Sequence, residues 1–341
     1  MKSFSAICGA FAGLALSVGT MAPATADFND TKPITYSVDG ATATGYGKAV
    51  TEAINGIVRE MYPGTDATYK PGSPAGGIQN IGTGKSDFTF NGAPPEIAYA
   101  LEGKPPFKES LKDKFKFVML LHDGLVVHSV MTKDWADKNG IASFEDIAKK
   151  KPYMRLAVNQ PANLQSTIGM YVNLFQTFGI DEKEVTNNGQ GTIRANSASG
   201  LEAMRDGKID VLINGGFIPT AEIADVARGR DLVWISGSAD KMQEAAKRWN
   251  IKTITVPKSA YDFLKKDEPT ITIWNVVLAG AHVSDETVYK FTKAVFDNEA
   301  RVRSIHPSLA EFSLAHNWSN STPLAIHPGA ERYYREKGLI K

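Results

Sequence analysis

The sequence predicts an α/β fold built from two similar halves. From Pro33 onward, short apolar runs alternate with amphipathic stretches, which is the pattern of strands connected by helices. One nine-residue pattern occurs in each half, as GKSDFTFNG at 84–92 and as GKIDVLING at 207–215. The chain of 341 residues also has the length of roughly two domains.

The elements follow from hydrophobic periodicity. The predicted strands are Ile34–Val38, Phe88–Phe90, Phe117–Leu121, Leu125–Met131, Leu156–Val158, Val211–Ile213, Leu232–Ile235 and Thr272–Leu278. The predicted helices are Gly47–Met61, Phe144–Lys149, Ser166–Phe178, Ala198–Asp206, Ala221–Ala227, Ala239–Trp249, Asp285–Asp297 and Ala330–Lys337. Helices between successive strands favour parallel pairing with crossover connections.

The first 26 residues are predicted to be a secretory signal peptide. Lys2 precedes the apolar stretch 6–18, and the small residues Ala24-Thr25-Ala26 precede a polar segment. The apolar stretch is too short to act as a stable transmembrane anchor. We therefore expect cleavage after Ala26 and a free protein in the periplasm.

Composition excludes several classes of function. Cys8 is the only cysteine and lies in the predicted signal, so the mature protein is expected to lack thiol chemistry, thiolate metal sites and disulfides. Lys2 is the only charged residue of that segment, so the chain's 38 basic and 37 acidic residues become equal in number on cleavage. This balance argues against nucleic-acid binding, which rests on a basic surface.

The stretch GTGKS at 82–86 has the letters of a P-loop but the wrong context. A P-loop requires an earlier glycine where this chain has Gln79, and it requires a helix after Ser86, where a β-prone run follows instead. The repeated pattern predicts a left-handed helix end at its glycine, a polar turn, a buried parallel strand and Asn-Gly at the strand's carboxyl end. Ligands bind at such ends in open α/β sheets, which makes Asn91 and Asn214 candidates.

No catalytic, metal or cofactor site is predicted. A Gly-x-Ser-x-Gly elbow is absent from the sequence, and the serines of GSPAGG and SGSAD have no histidine nearby. His327 and Glu331 lie four residues apart, but no second histidine follows at ligand spacing. His327-Pro328 and His306-Pro307 more simply mark helix starts. A catalytic triad assembled from distant segments stays an open alternative.

The C-terminal segment PLAIHPGAERYYREKGLIK, 323–341, closely resembles the end of the TAXI family of solute-binding proteins, which serve TRAP transporters. The segments AMRDGKIDVLINGGFIPTAEI, YDFLKKDEPTITIWNVVLAG, VSDETVYKFTKAVFDN and HPSLAEF follow that family's order and spacing. With GATATGY near the start, the resemblance covers essentially the whole mature chain.

This resemblance implies a type II periplasmic binding protein, with two α/β lobes around a ligand cleft and two chain crossings. The first lobe is expected to hold 27–125 and 253–341, and the second lobe 126–252. Similar family members bind small acids such as glutamate or 2-oxoglutarate and deliver them to the membrane subunits of a TRAP transporter. The resemblance implies no cofactor.

The family's three ligand-binding loops are altered in this chain. The first loop reads GATATGY at 40–46, where the family typically has Gly-Ala-Thr-Gly-Thr-Tyr-Tyr. The second reads PAGG at 74–77, so glycine stands where the family has serine, and the third reads PANL at 161–164 in place of Gly-Ser-Gly-Thr. We expect the scaffold to be kept while the ligand is changed or enlarged.

The candidate ligand-binding residues combine these loops with the strand ends. From the first lobe they are Thr42, Thr44, Tyr46, Gly77, Asn80 and Asn91, and from the second lobe Asn159, Gln160, Asn163, Gln165, Asn214, Gly216 and Phe217. The rings of Tyr46 and Phe217 are expected to enclose the ligand's carbon skeleton. Each polar residue also has a structural interpretation, because threonines cap helices and asparagines satisfy turns.

Three functions follow from the sequence. The leading one is a periplasmic receptor that closes on a small, carboxylate-bearing solute and docks on a TRAP transporter. The second is an extracytoplasmic sensor subunit for the same class of solute. The third, an exported α/β hydrolase, has no nucleophile motif to support it.

Overall fold

Ten strands form one mixed sheet in the computed structural model of the protein. The structure describes residue 28 and residues 30–41, 46–158, 166–195, 197–249, 251–317 and 324–340. The strands are β1 (Thr35–Ala41), β2 (Asp66–Pro71), β3 (Phe88–Gly92), β4 (Phe115–Thr132), β5 (Leu156–Val158), β6 (Thr192–Arg194), β7 (Val211–Gly216), β8 (Leu232–Trp234), β9 (Thr253–Val256) and β10 (Glu268–Gly280).

Helices connect these strands and cover the sheet. They are α1 (Tyr46–Met61), α2 (Pro74–Gly82), α3 (Pro94–Glu102), α4 (Lys133–Asn139), α5 (Phe144–Lys150), α6 (Ser166–Phe178), α7 (Glu182–Val185), α8 (Ser197–Arg205), α9 (Ala221–Gly229), α10 (Ala239–Arg248), α11 (Asp285–Phe296), α12 (Glu299–Ile305), α13 (Leu314–Asn317) and α14 (Pro328–Glu336). None of the described helices is long and apolar enough to cross a lipid bilayer.

The sheet has two halves with the same internal order. In the first half β2, β1 and β3 are parallel neighbours, and in the second half β6, β5 and β7 repeat that arrangement. The antiparallel strands β10 and β4 lie beside β3, and β4 continues beside β7. The two long strands β4 and β10 therefore pass from one half into the other, as two chain crossings.

The amphipathic faces predicted from periodicity form the core. In α1, Val50, Ile54, Ile57 and Val58 are buried as the spacing predicts. In α11, Val288, Phe291 and Val295 are buried on one face, and the Ser284 hydroxyl accepts a hydrogen bond from the Thr287 amide at the start of the helix. Phe88 and Phe291 stack with their ring centroids 4.7 Å apart, which joins α11 to β3.

Two predictions about the strands are wrong. Phe117–Leu121 and Leu125–Met131 were predicted as separate strands, whereas β4 is continuous through Asp123 and Gly124. The polar pair stays extended because β10 pairs along this part of β4, with shifts in register. Strands β2, β6 and β9 were not predicted, since they contain no continuous apolar run and most of their residues are accessible.

The lobe boundaries 27–125 with 253–341, and 126–252, stay a prediction. Val256, Tyr261 and Leu264 pack in one apolar cluster with Val126 and Val130. This packing favours a second boundary that lies further along the chain, beyond Leu264.

Candidate functional site

The repeated nine-residue pattern forms the same structure in both halves. Gly84 and Gly207 have φ angles of 75° and 71°, the left-handed conformation predicted for a helix end. The strand that follows each glycine is parallel to the first strand of its half, with Val38 opposite Phe88 and Leu156 opposite Val211. Asn91 and Asn214 therefore occupy equivalent positions near the carboxyl ends of β3 and β7.

The aspartate of each pattern connects two neighbouring strands. Asp87 Oδ2 accepts hydrogen bonds from the Ser37 amide at 2.7 Å and from its hydroxyl at 2.9 Å. Asp210 Oδ2 accepts from the Arg155 amide at 3.0 Å and from its Nε at 2.9 Å. The carboxylates thus hold the first and third strands of each half in register at the edge opposite the asparagines.

The two asparagines line a cavity of about 1000 Å³ between the halves of the sheet. Its wall includes the starts of α1 and α8, the middle of β4, residues 214–223 and most of residues 306–313. A volume of this order matches sites for small molecules, which are concave and lined by apolar side chains with a few polar groups.

Four rings from distant parts of the sequence meet in this wall. The Tyr46 ring lies 4.8 Å from His306, 5.3 Å from Phe217 and 5.8 Å from His122 between centroids. Phe217 also contacts both histidines, with centroids 5.2 Å from His122 and 5.5 Å from His306. We call these four residues the ring cluster.

Hydrogen bonds at Thr220 fix the end of the loop that carries Phe217. The Tyr261 hydroxyl accepts from the Thr220 amide at 2.9 Å and lies 2.8 Å from His128 Nε2. In the contact with His128, the imidazole tautomer decides which group donates. The Thr220 hydroxyl accepts a hydrogen bond from the Ile223 amide, so Thr220 is the N-cap of α9.

Three buried polar atoms of the wall have no hydrogen-bond partner within the described part of the chain. They are Asn91 Nδ2, His122 Nδ1 and Asn275 Oδ1. Asn275 Nδ2 donates to the Phe90 carbonyl at 3.0 Å, which fixes the orientation of the amide and leaves Oδ1 as an acceptor. Asn275 lies opposite His122 between β10 and β4, next to the strand of Asn91. Buried polar groups are nearly always paired, so this group indicates a ligand site.

Burial keeps one tyrosine and three histidines of the wall neutral at pH 7. Burial lowers the pKa of both His122 and His128 to about 4, and it lowers the pKa of His306 as well. Burial raises the pKa of Tyr46 to about 12, although its hydroxyl accepts a hydrogen bond from Ser308 Oγ at 3.1 Å. The ring cluster therefore carries no charge at neutral pH.

The structure places five of the predicted site residues in the cavity wall: Tyr46, Asn91, Asn214, Gly216 and Phe217. Gly77 and Asn80 lie elsewhere, at the end of β1. Six further predictions, Thr42, Thr44, Asn159, Gln160, Asn163 and Gln165, lie outside the described residues.

Asn80 and Gly77 have structural contacts where they lie. Asn80 Nδ2 donates to Asp39 Oδ2 at 2.6 Å, and the Ser86 hydroxyl donates to the same oxygen at 3.3 Å. A Cβ on Gly77 would lie only 2.6 Å from Gly40 Cα. These two residues join α2 to the end of β1, directly before the undescribed loop 42–45.

Three wall residues, His122, Asn275 and His306, were not predicted from the sequence. His122 and Asn275 lie within long apolar strands. A polar residue inside such an apolar run is the signal by which they could have been found. His306 and His327 were interpreted as helix starts, and this is confirmed, since each ring accepts a backbone N–H two residues later. His306 additionally lines the cavity.

Among the described residues, no cluster of three or more His, Cys, Asp or Glu side chains is arranged to hold a metal ion. The polar groups of the wall are mainly amides, hydroxyls and neutral imidazoles. This arrangement suits hydrogen bonding to an organic solute.

The profile of the NMT1-like family matches residues 40–338, which is most of the chain. The chain belongs to the NMT1-like family. The match includes strands β2 to β10 and every residue of the cavity wall named above.

Two solved structures have a similar fold. One is PhnD1 from Prochlorococcus marinus in complex with methylphosphonate, which is 10% identical to this chain. The match covers 91% of this chain and 100% of PhnD1, with a TM-score of 0.52. MatC from Rhodopseudomonas palustris, with bound malate, is 14% identical over 81% of this chain and 88% of that one, with a TM-score of 0.51. The predicted fold class, two α/β lobes around a cleft with two crossings, is confirmed.

Proposed function

We propose that this NMT1-like chain is an exported solute-binding protein that captures a small organic solute in the cavity and delivers it to a membrane transporter. The observation that carries this proposal is the group of three unpaired buried polar atoms in a cavity between two halves of one sheet. The bound methylphosphonate of PhnD1 and the bound malate of MatC support a binding role for this fold.

The transporter we propose is of the TRAP type, and the support for it is the resemblance of the C-terminal segment 323–341 to TAXI proteins. The same resemblance implies a carboxylate-bearing solute. A sensor subunit would use the same cavity with a different docking surface, so the genes beside this one would separate a transporter partner from a membrane kinase.

A hydrolytic function is the weaker alternative. Ser308 Oγ lies 2.9 Å from His306 Nδ1 in the cavity wall, which is the separation of a nucleophile and its base. His306 Nδ1 also accepts the Ser308 amide at 3.1 Å, which is a helix-capping contact. We therefore assign this pair a structural role. Chemical turnover of a bound solute, measured by mass spectrometry after incubation, would contradict that assignment.

The binding role is tested by isolating the protein from periplasmic extract and identifying any small molecule released on denaturation. Adding that molecule back to stripped protein is expected to raise the melting temperature, because a ligand that binds only the folded state stabilises it. Intact mass of the same sample tests export and cleavage after Ala26.

The variant Phe217→Ala tests whether the cavity is the binding site. We expect it to weaken solute binding at least tenfold, because it removes a ring from the cavity wall. Tyr153→Ala is the control, since that ring is 56% exposed and lies away from the cavity. Equal loss of affinity in both variants, or no released solute and no melting shift with any tested carboxylate, amide or amino acid, would contradict the proposed function.

A further inference from the structure

The cavity wall contains acidic residues but no lysine or arginine. Asp123, Glu222 and Glu311 line it, and its described lining includes neither Lys nor Arg. Between residues 31 and 340 the undescribed positions are 42–45, 159–165, 196, 250 and 318–323, and none of them is a charged residue. Every Lys and Arg in this part of the chain is therefore described, and all of them lie outside the wall.

Two basic side chains contact Asp123 of the wall, and one of them, His316, is itself a wall residue. Lys252 Nζ lies 3.5 Å from Asp123 Oδ2, and His316 Nε2 lies 3.3 Å from the same oxygen. The carboxylates of Glu222 and Glu311 are exposed at the rim of the cavity. An anion that entered would lose its hydration and would meet these carboxylates without a cation to replace the lost water.

Two of the unpaired atoms in the cavity wall are an amide donor and an amide acceptor. Asn91 Nδ2 is a donor and Asn275 Oδ1 is an acceptor, and they come from the neighbouring strands β3 and β10. Asn214 Oδ1 accepts from Ser197 Oγ at 3.0 Å and from the Gly215 amide at 2.8 Å, which fixes the orientation of a second amide in the wall. The ring cluster adds an aromatic surface beside these amides.

We infer that the cavity selects a solute without net negative charge, in which an apolar or ring-containing body carries an uncharged group such as a carboxamide. The carbonyl of that group would accept from Asn91 Nδ2, and its N–H would donate to Asn275 Oδ1. This inference rests on the proposed function, because it assumes that the cavity is the solute site. It departs from the carboxylate that the family resemblance implies.

The test uses probes that share a carbon skeleton and differ in charge. Benzamide is compared with benzoate, and isobutyramide with isobutyrate, by calorimetry and thermal shift on stripped protein at pH 7. We expect each amide to bind at least tenfold more tightly than its carboxylate. A carboxylate that binds as tightly as its amide, or an anionic solute released from the purified protein, would overturn the inference and leave the proposed function intact.

A second variant separates electrostatics from shape. Glu222→Gln combined with Glu311→Gln removes two exposed carboxylates from the rim, so we expect carboxylate probes to gain affinity and the preference for amides to shrink by about threefold. A preference that is the same in the double variant and the natural protein would overturn the electrostatic argument. If no probe binds and no solute is released, the proposed function itself fails.

Discussion

At the scale of single residues, His128 is a buried ring that is neutral at pH 7, because burial lowers its pKa. Its Nε2 lies 2.8 Å from the Tyr261 hydroxyl, which positions the loop of Phe217, and its ring lies opposite Asn214 between β4 and β7. The ring is also 1% exposed, so a charge there would be buried without a partner.

The pKa of His128 gives a prediction about stability in acid. Because burial lowers its pKa from 6.5 to about 4, the folded protein binds fewer protons than the unfolded chain between these pH values. The stabilising contribution is complete above pH 6.5 and is lost as the pH falls towards 4, at a cost of roughly 3 kcal/mol. Urea unfolding of the natural protein and of His128→Gln between pH 7 and 4 measures it.

We expect the free energy of unfolding of His128→Gln to fall less steeply with acid, by about 1.4 kcal/mol per pH unit. The glutamine amide can still reach the Tyr261 hydroxyl, so the comparison isolates the titration. Parallel pH profiles for the two proteins would show that His128 does not titrate in the unfolding reaction.

At the scale of elements, α2 is held against the end of β1 by close backbone approach. Gly77 in α2 lies against Gly40, and the polar contact from Asn80 to Asp39 follows one turn later. This arrangement brings α2 to the loop at 42–45 and leaves Gly77 and Asn80 outside the cavity wall. Their contribution to binding remains a prediction that variants in α2 can test.

We expect Gly77→Ala to destabilise the protein by about 1–3 kcal/mol, because the new Cβ would lie 2.6 Å from Gly40 Cα and 2.7 Å from Thr89 Oγ1. Gly56→Ala in α1 is the matched control, since no atom lies within 4 Å of its Cβ position. That change is expected to stabilise by up to about 1 kcal/mol through helix propensity. Denaturant unfolding measures both, and a Gly77→Ala protein of natural stability would refute the close-packing role.

At the scale of the whole molecule, the two halves also meet away from the cavity. Gly169 of α6 faces Pro95 of α3, and a Cβ on Gly169 would lie 2.7 Å from Pro95 Cβ. Tyr99 of α3 and Trp249 lie 6.1 Å apart between ring centroids. Together with the contact of Tyr46 and Phe217 in the cavity wall, these contacts describe a conformation in which the two halves touch both in the wall and outside it.

A bulky side chain at Gly169 is therefore expected to hold the halves apart. We predict that Gly169→Leu weakens solute binding at least tenfold and raises the radius of gyration measured by X-ray scattering, because the new side chain would occupy the space in which α3 and α6 touch. Gly229→Leu is the control, since that position at the end of α9 has open space around it. Equal binding by the two variants would mean that closure does not depend on contact between α3 and α6.

The sequence by itself determined the local units of this protein. Alternating periodicity identified the central strands and α1, and the repeated Gly-Lys-x-Asp pattern identified two equivalent strand ends with Asn91 and Asn214 in the cavity wall. These predictions succeeded because turn chemistry and the burial of one face depend on residues that are near one another in the chain.

Only the tertiary structure decided which distant residues share the wall. His122, Asn275 and His306 meet because β4 and β10 pair antiparallel across more than a hundred residues of intervening chain, and because residues 306–313 return to β4. Tertiary packing also decides that Asn80 donates to Asp39 and not to the cavity. It likewise decides that every Lys and Arg of residues 31–340 lies outside the wall. Local pattern cannot reveal these outcomes, because the direction of a polar side chain depends on the element that packs against it.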